Sequence, residues 1–114
     1  YYQAADVYVH PTLGDSFGMA PFEAMAHDLP VIVRSSEYCG FAEYAGHMRD
    51  AWILENPRDP AEIARGITEL CTNATTRSRL LQHGAALVQS MSWQSVANKF
   101  EALYAESIAE RRLP

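Results

Sequence analysis

Gly14-Asp15-Ser16-Phe17-Gly18-Met19-Ala20-Pro21-Phe22-Glu23-Ala24-Met25-Ala26-His27-Asp28-Leu29-Pro30 is the stretch from which the rest of the chain is read. It lies between two apolar runs, Asp6-Val7-Tyr8-Val9-His10 and Val31-Ile32-Val33, and so reads as strand, glycine-containing loop, short helix, strand: one βαβ unit. Phe22, Met25, Ala26 and Leu29 recur at i, i+3, i+4 and i+7, which predicts one apolar helix face against a sheet. Glu23 stands one residue off that stripe, and Asp15 lies in the loop before the helix. Gly18 lets the backbone approach a ligand closely, and the N–H groups of Phe17, Gly18, Met19 and Ala20 are the orphan donors of a helix start, suited to an anion. Pro21 has no N–H, but in a first turn that donor would be unpaired anyway. Carboxylates accept hydrogen bonds from hydroxyls, while free N–H groups suit phosphate oxygens, and a nucleotide sugar carries both. Read locally, the junction fits either a ligand-binding loop or a plain structural turn.

With 114 residues the chain is a single small domain or part of one, short for a complete doubly wound fold. Tyr1-Tyr2-Gln3-Ala4-Ala5 has no initiator Met and no basic leader, and runs into the first strand like the tail of a helix. The expectation is a C-terminal piece of a longer protein, spanning 1–114. Net charge is −5 and the only basic pair is Arg111-Arg112, which argues against an extended nucleic-acid surface. Cys39 and Cys71 lack C-x-x-C spacing and read as reduced thiols of a cytoplasmic protein, in core or loop rather than as nucleophiles. His10, His27, His47 and His83 have no ligand spacing, so neither a metal nor a cofactor is expected, and His10 reads as a strand-end side chain beside a sugar site. No stretch approaches membrane-spanning length.

Further along, Arg34 to Gly46 reads as a loop with one or two helical turns, and Ala51-Trp52-Ile53-Leu54 as a third strand. Asp59, Pro60 and Glu62 predict a capping box opening a helix over Pro60 to Thr72, with Ile63, Ile67 and Leu70 buried. A second helix is predicted from about Thr76 to Met91. Ser92 caps a third, running towards Ile108, in which Trp93 and Phe100, like Trp52 in its strand, are assigned to the core. Strands alternating with helices predict a partial Rossmann-like parallel sheet with flanking helices. So narrow a sheet would leave an apolar edge uncovered, which again implies missing earlier strands. In such sheets ligands sit beyond the carboxyl ends of the strands, where Thr12 to Gly18 would lie.

Ala5-Asp6-Val7-Tyr8-Val9-His10-Pro11, Asp15-Ser16-Phe17-Gly18-Met19, Phe22-Glu23-Ala24-Met25-Ala26 and Leu29-Pro30-Val31-Ile32 together resemble the C-terminal donor-binding domain of the retaining glycosyltransferases of family 4, which have the GT-B fold. That family carries two acids separated by seven residues, here Asp15 and Glu23. Gly40 and Glu43, Asp59 to Glu62, and Ser92-Trp93 extend the likeness over essentially the whole chain.

The resemblance implies that Glu23 binds the ribose hydroxyls of the donor. It places Asp15 beside the donor sugar near the reacting carbon as the catalytic carboxylate, and Ser16, Phe17, Gly18 and Met19 against the sugar and diphosphate. It also implies transfer with retention, no bound metal, a UDP-sugar donor, a glycan or glycolipid acceptor, and an N-terminal domain of the same chain that completes the site, without which this segment is inactive. Tyr38 to Tyr44, with His10-Pro11, looks like the lipopolysaccharide core glucosyltransferases, implying peripheral contact with the inner membrane. Two positions depart from the pattern. Asp15 stands where Glu is usual, and Asp28 stands where Gly commonly ends the helix, a place where Asp tolerates left-handed backbone. The competing readings are a non-catalytic nucleotide-binding or interaction module and a GT-B sugar-nucleotide epimerase.

Overall fold

The computed structural model describes residues 1–111, so Arg112 of the basic pair lies outside the described residues. Strands β1 (Tyr8–His10), β2 (Val31–Arg34) and β3 (Trp52–Leu54) form one parallel sheet in that order, with Tyr8 opposite Val31 and Ile32 opposite Trp52. Helix α1 (Met19–Ala26) connects β1 to β2. After β3 come α2 (Pro60–Thr72), α3 (Ala74–Ser90) and α4 (Trp93–Glu110). The expected helix tail at the start is a single 3-10 turn, Tyr2–Ala4, and a second such turn, Gly40–Glu43, lies in the loop after β2.

Alternation along β2 divides the core in two, because successive strand residues point to opposite faces. Val31 and Val33 join Ala24 and Met25 of α1, with Cys39 and Phe41, on one face. Ile32 joins Leu54, Leu70 of α2 and Leu80 of α3 on the other. Helix α3 reaches both cores, since Leu87 and Val88 pack against the first. That approach depends on Gly84, where a Cβ would come within 2.8 Å of Met25 Cγ.

Several boundaries and faces differ from expectation for identifiable reasons. Helix α1 ends at Ala26, and Ala24, not Ala26, is buried with Met25. Asp28 adopts φ 58°, turning the chain so that Leu29 enters the core after the helix rather than on its stripe. Asp59 does cap α2 by accepting from the Ala61 N–H, but the capping box does not close. The Asp59 N–H is donated to the Asn56 carbonyl, and the Glu62 carboxylate instead accepts from the N–H groups of Glu55 and Asn56, both at 2.8 Å. Asn73 caps α3 through Thr76 N–H and brings its start forward to Ala74. Ile67 is 38% exposed, and Trp93 and Phe100 are 89% and 53% exposed, so none of the three belongs to the core; Trp52 is half-buried against the second one.

Candidate functional site

All three strands are parallel, so the segments that follow them leave the same edge of the sheet. There the loop from Pro11 to Gly18 is stitched to the segment after β2. Asp15 N–H donates to the Tyr38 carbonyl at 2.9 Å, Phe41 N–H to the Phe17 carbonyl at 2.5 Å, and the Cys39 thiol to the same Phe17 carbonyl at 3.6 Å. Gly40 packs against the Ser16 carbonyl, where a side chain would collide. Gly18 begins α1 at φ 89°, and a Cβ there would lie 2.6 Å from Cys39 Sγ. Burial is the main reason the Cys39 thiol is held above its ordinary pKa, so it stays a neutral donor.

The Asp15 carboxylate is engaged through both oxygens. Oδ1 accepts the Gly18 N–H at 3.0 Å, and Oδ2 lies 3.0 Å from His10 Nε2. Of the helix-start donors expected to face an anion, the Gly18 N–H is therefore taken by Asp15. Asp15 folds back onto the backbone three residues on, as turn-capping aspartates do.

On the other side of the ring, His10 Nδ1 lies 3.4 Å from the Tyr8 hydroxyl. Tyr8 meets Tyr2 edge-on at 5.8 Å between ring centroids, and the Tyr2 hydroxyl donates to Glu23 Oε2 at 3.3 Å. Asp15, His10, Tyr8, Tyr2 and Glu23 thus form one connected row joining the two acids. Burial first, then the acidic groups around it, Asp15 and Glu23 among them, raise the Tyr8 pKa, which keeps its phenol protonated.

Glu23 is exposed and half-buried Asp15 retains lone pairs beyond the two in use, so both can accept hydrogen bonds from ligand hydroxyls. Ser16 and Met19 are exposed, while Phe17 is half-buried between Phe22 and Tyr44. Glu43 is exposed in its 3-10 turn. Tyr2 and Tyr8 escaped the sequence reading, although Tyr8 and His10 stand two apart on one strand and so share a face, a signal that was there to be used. Arg34 is the other surprise: it ends β2 with only 4% exposure, stacks 3.4 Å from the Tyr38 ring centroid and donates to the Thr12 carbonyl at 3.3 Å.

A three-stranded parallel sheet with flanking helices matches the C-terminal domain of GT-B glycosyltransferases. Comparison with known proteins agrees. Residues 1–87 match the pattern of the glycosyl transferases group 1, and the chain belongs to that family.

The chain is 29% identical over 106 residues to a D-inositol 3-phosphate glycosyltransferase of Corynebacterium efficiens, covering 93% of this chain and 24% of that protein. It is 33% identical over 110 residues to a phosphatidyl-myo-inositol mannosyltransferase of Mycobacterium leprae, covering 94% and 28%. The chain therefore spans about a quarter of the length of these relatives. A solved sucrose-phosphate synthase of Thermosynechococcus elongatus superposes with a TM-score of 0.79 at 27% identity, over 96% of this chain and 27% of that one. The C-terminal domain of a group 1 glycosyl transferase from Francisella tularensis shares the fold, with a TM-score of 0.69 at 24% identity over 79% of this chain and 45% of that one.

Proposed function

We propose that this chain binds the nucleotide-sugar donor of a retaining hexosyltransferase, with UDP-glucose or a similar UDP-sugar as donor and a glycan or glycolipid as acceptor. The observation that carries the reading is the row joining Asp15 to Glu23 through His10, Tyr8 and Tyr2. In this reading Glu23 accepts the ribose hydroxyls, and the backbone from Ser16 to Met19 lies against the sugar and diphosphate. Asp15, anchored by His10 and Gly18, keeps a negative charge near the anomeric carbon. Positive charge developing there as the diphosphate departs would be stabilised by a carboxylate whose orientation is already set, with no metal needed in the step.

The acceptor we favour is a membrane glycolipid, met by a cytoplasmic enzyme at the inner membrane surface. The likeness of Tyr38 to Tyr44 supports lipopolysaccharide core, and the names of the relatives support an inositol-containing acceptor. The N-terminal part of the full-length protein supplies the acceptor side of the site.

The test is calorimetric titration of UDP, UDP-glucose and GDP-mannose into the full-length protein and its Glu23→Ala variant. Uridine-selective binding is expected, weakened by about 1.5–3 kcal/mol in the variant because buried ribose hydroxyls lose a charged acceptor. Unchanged affinity in the variant removes Glu23 from the donor site, and absence of binding to all three nucleotides favours the non-catalytic reading.

A further inference from the structure

A pocket of about 310 Å³ opens at the same edge of the sheet but on its β2–β3 side, lined by Leu13, Arg34, Tyr38, Asn56, Pro57 and Arg58. Its wall holds two arginines in a chain of net charge −5. Arg34 is 4% exposed, and its Nε has no hydrogen-bond partner among the described residues. An arginine taken this far out of water ordinarily has its donors matched, because a buried unpaired charged donor costs stability. The Thr12 carbonyl takes one Nη1 hydrogen and the Tyr38 ring covers one face of the guanidinium; neither brings an anion.

Of the nearby acids, Asp59 caps Ala61 and Glu62 holds the N–H groups of Glu55 and Asn56, while exposed Glu37 and Glu55, beside Tyr38 and Asn56 in sequence, form no ion pair with either arginine. The ion pairs among the described residues are His10 with Asp15 and Arg49 with Asp50, so neither Arg34 nor exposed Arg58 has a carboxylate partner.

We propose that Arg34 and Arg58 form an oxyanion subsite that takes a phosphate group of the acceptor. Calling its owner the acceptor rests on the transferase reading above; the phosphate subsite itself does not. Guanidinium groups match phosphate oxygens in a planar fork, and Arg34 is held in place by its aromatic neighbour before any ligand arrives. Leu13 walls this pocket two residues before Asp15, so a phosphate seated here would hold a second substrate beside the donor loop while leaving the Asp15–Glu23 row to the donor.

Inorganic phosphate is the probe, titrated into the full-length protein at low ionic strength and followed by phosphorus NMR, with and without saturating UDP. Saturable binding that UDP leaves unchanged is expected. It should weaken about tenfold or more in Arg58→Glu and disappear in Arg34→Gln. Because Arg34 is buried, its variant is read only if its melting transition matches the parent; Arg58 is exposed, and its variant keeps the test decisive if Arg34→Gln does not fold. The proposal is overturned if phosphate does not bind saturably, if Arg58→Glu binds it equally well, or if UDP displaces it, which would make the pocket part of the donor's diphosphate site. If phosphate binds through the arginines while no nucleotide binds at all, the subsite stands and the donor reading falls.

Discussion

Helices α1 and α4 are both studded with apolar side chains, yet α1 buries Pro21, Ala24 and Met25 within eight residues whereas α4 buries none within 18. The difference lies in what each helix meets. Helix α1 is bounded by two strands of the sheet it covers and backed by α3, where Gly84 admits Met25. Helix α4 follows the last strand and the last packed helix, and Trp93, Phe100, Leu103, Tyr104 and Ile108 all remain exposed. Periodic apolar residues specify which face of a helix is able to be buried, but only the topology supplies a surface to bury it on. The region matched by the family pattern ends at Leu87, before α4 begins.

The comparison can be broken by substitution. Phe41 is fully buried beneath the donor loop, and Phe41→Ala should cost about 3–5 kcal/mol in urea denaturation, combining lost transfer energy with a cavity. Gly18→Ala should cost about 2–4 kcal/mol by the same measurement, because left-handed backbone and the approach to Cys39 Sγ both resist a Cβ.

Thiol labelling at pH 8 sharpens the contrast between buried loop and exposed helix. Exposed Cys71 should react first, and Cys39 about tenfold more slowly or worse, since burial both blocks the reagent and, by raising the pKa, thins the thiolate. Equal rates would mean that the loop region opens readily. The smallest effect belongs to Phe100→Ala, expected within about 0.5 kcal/mol of the parent; a loss as large as that of Phe41→Ala would mean that the apolar face of α4 is packed as a core residue is.

Helix α2 was legible because its start is written in local chemistry: Asp59 caps and Pro60 occupies the first helical position, and the observed bounds are those expected. The three strands were legible as short apolar runs between turn residues. Burial on α4 was not, because apolar spacing alone does not say whether anything lies opposite. In the site, Asp15 and Glu23 stood out as a spaced pair of acids, and Asp28 takes the left-handed backbone anticipated for it. The bond from His10 to Asp15 was hidden, since it joins a strand end to the loop that doubles back over it. Arg34 stood only at the start of the loop after β2; its burial, with the Tyr38 ring stacked on its guanidinium, depends on the path of that loop.

The stitching of the Pro11–Gly18 loop to the segment after β2 bears on binding kinetics. Asp15 pairs with Cys39 in a parallel bridge, which ties the loop after β1 to the segment after β2. A ligand arriving there meets a geometry already assembled and surrenders little conformational entropy of the protein on docking. Association should then be governed by encounter, and variants of the exposed contact residues should differ in how long the ligand stays rather than in how fast it arrives.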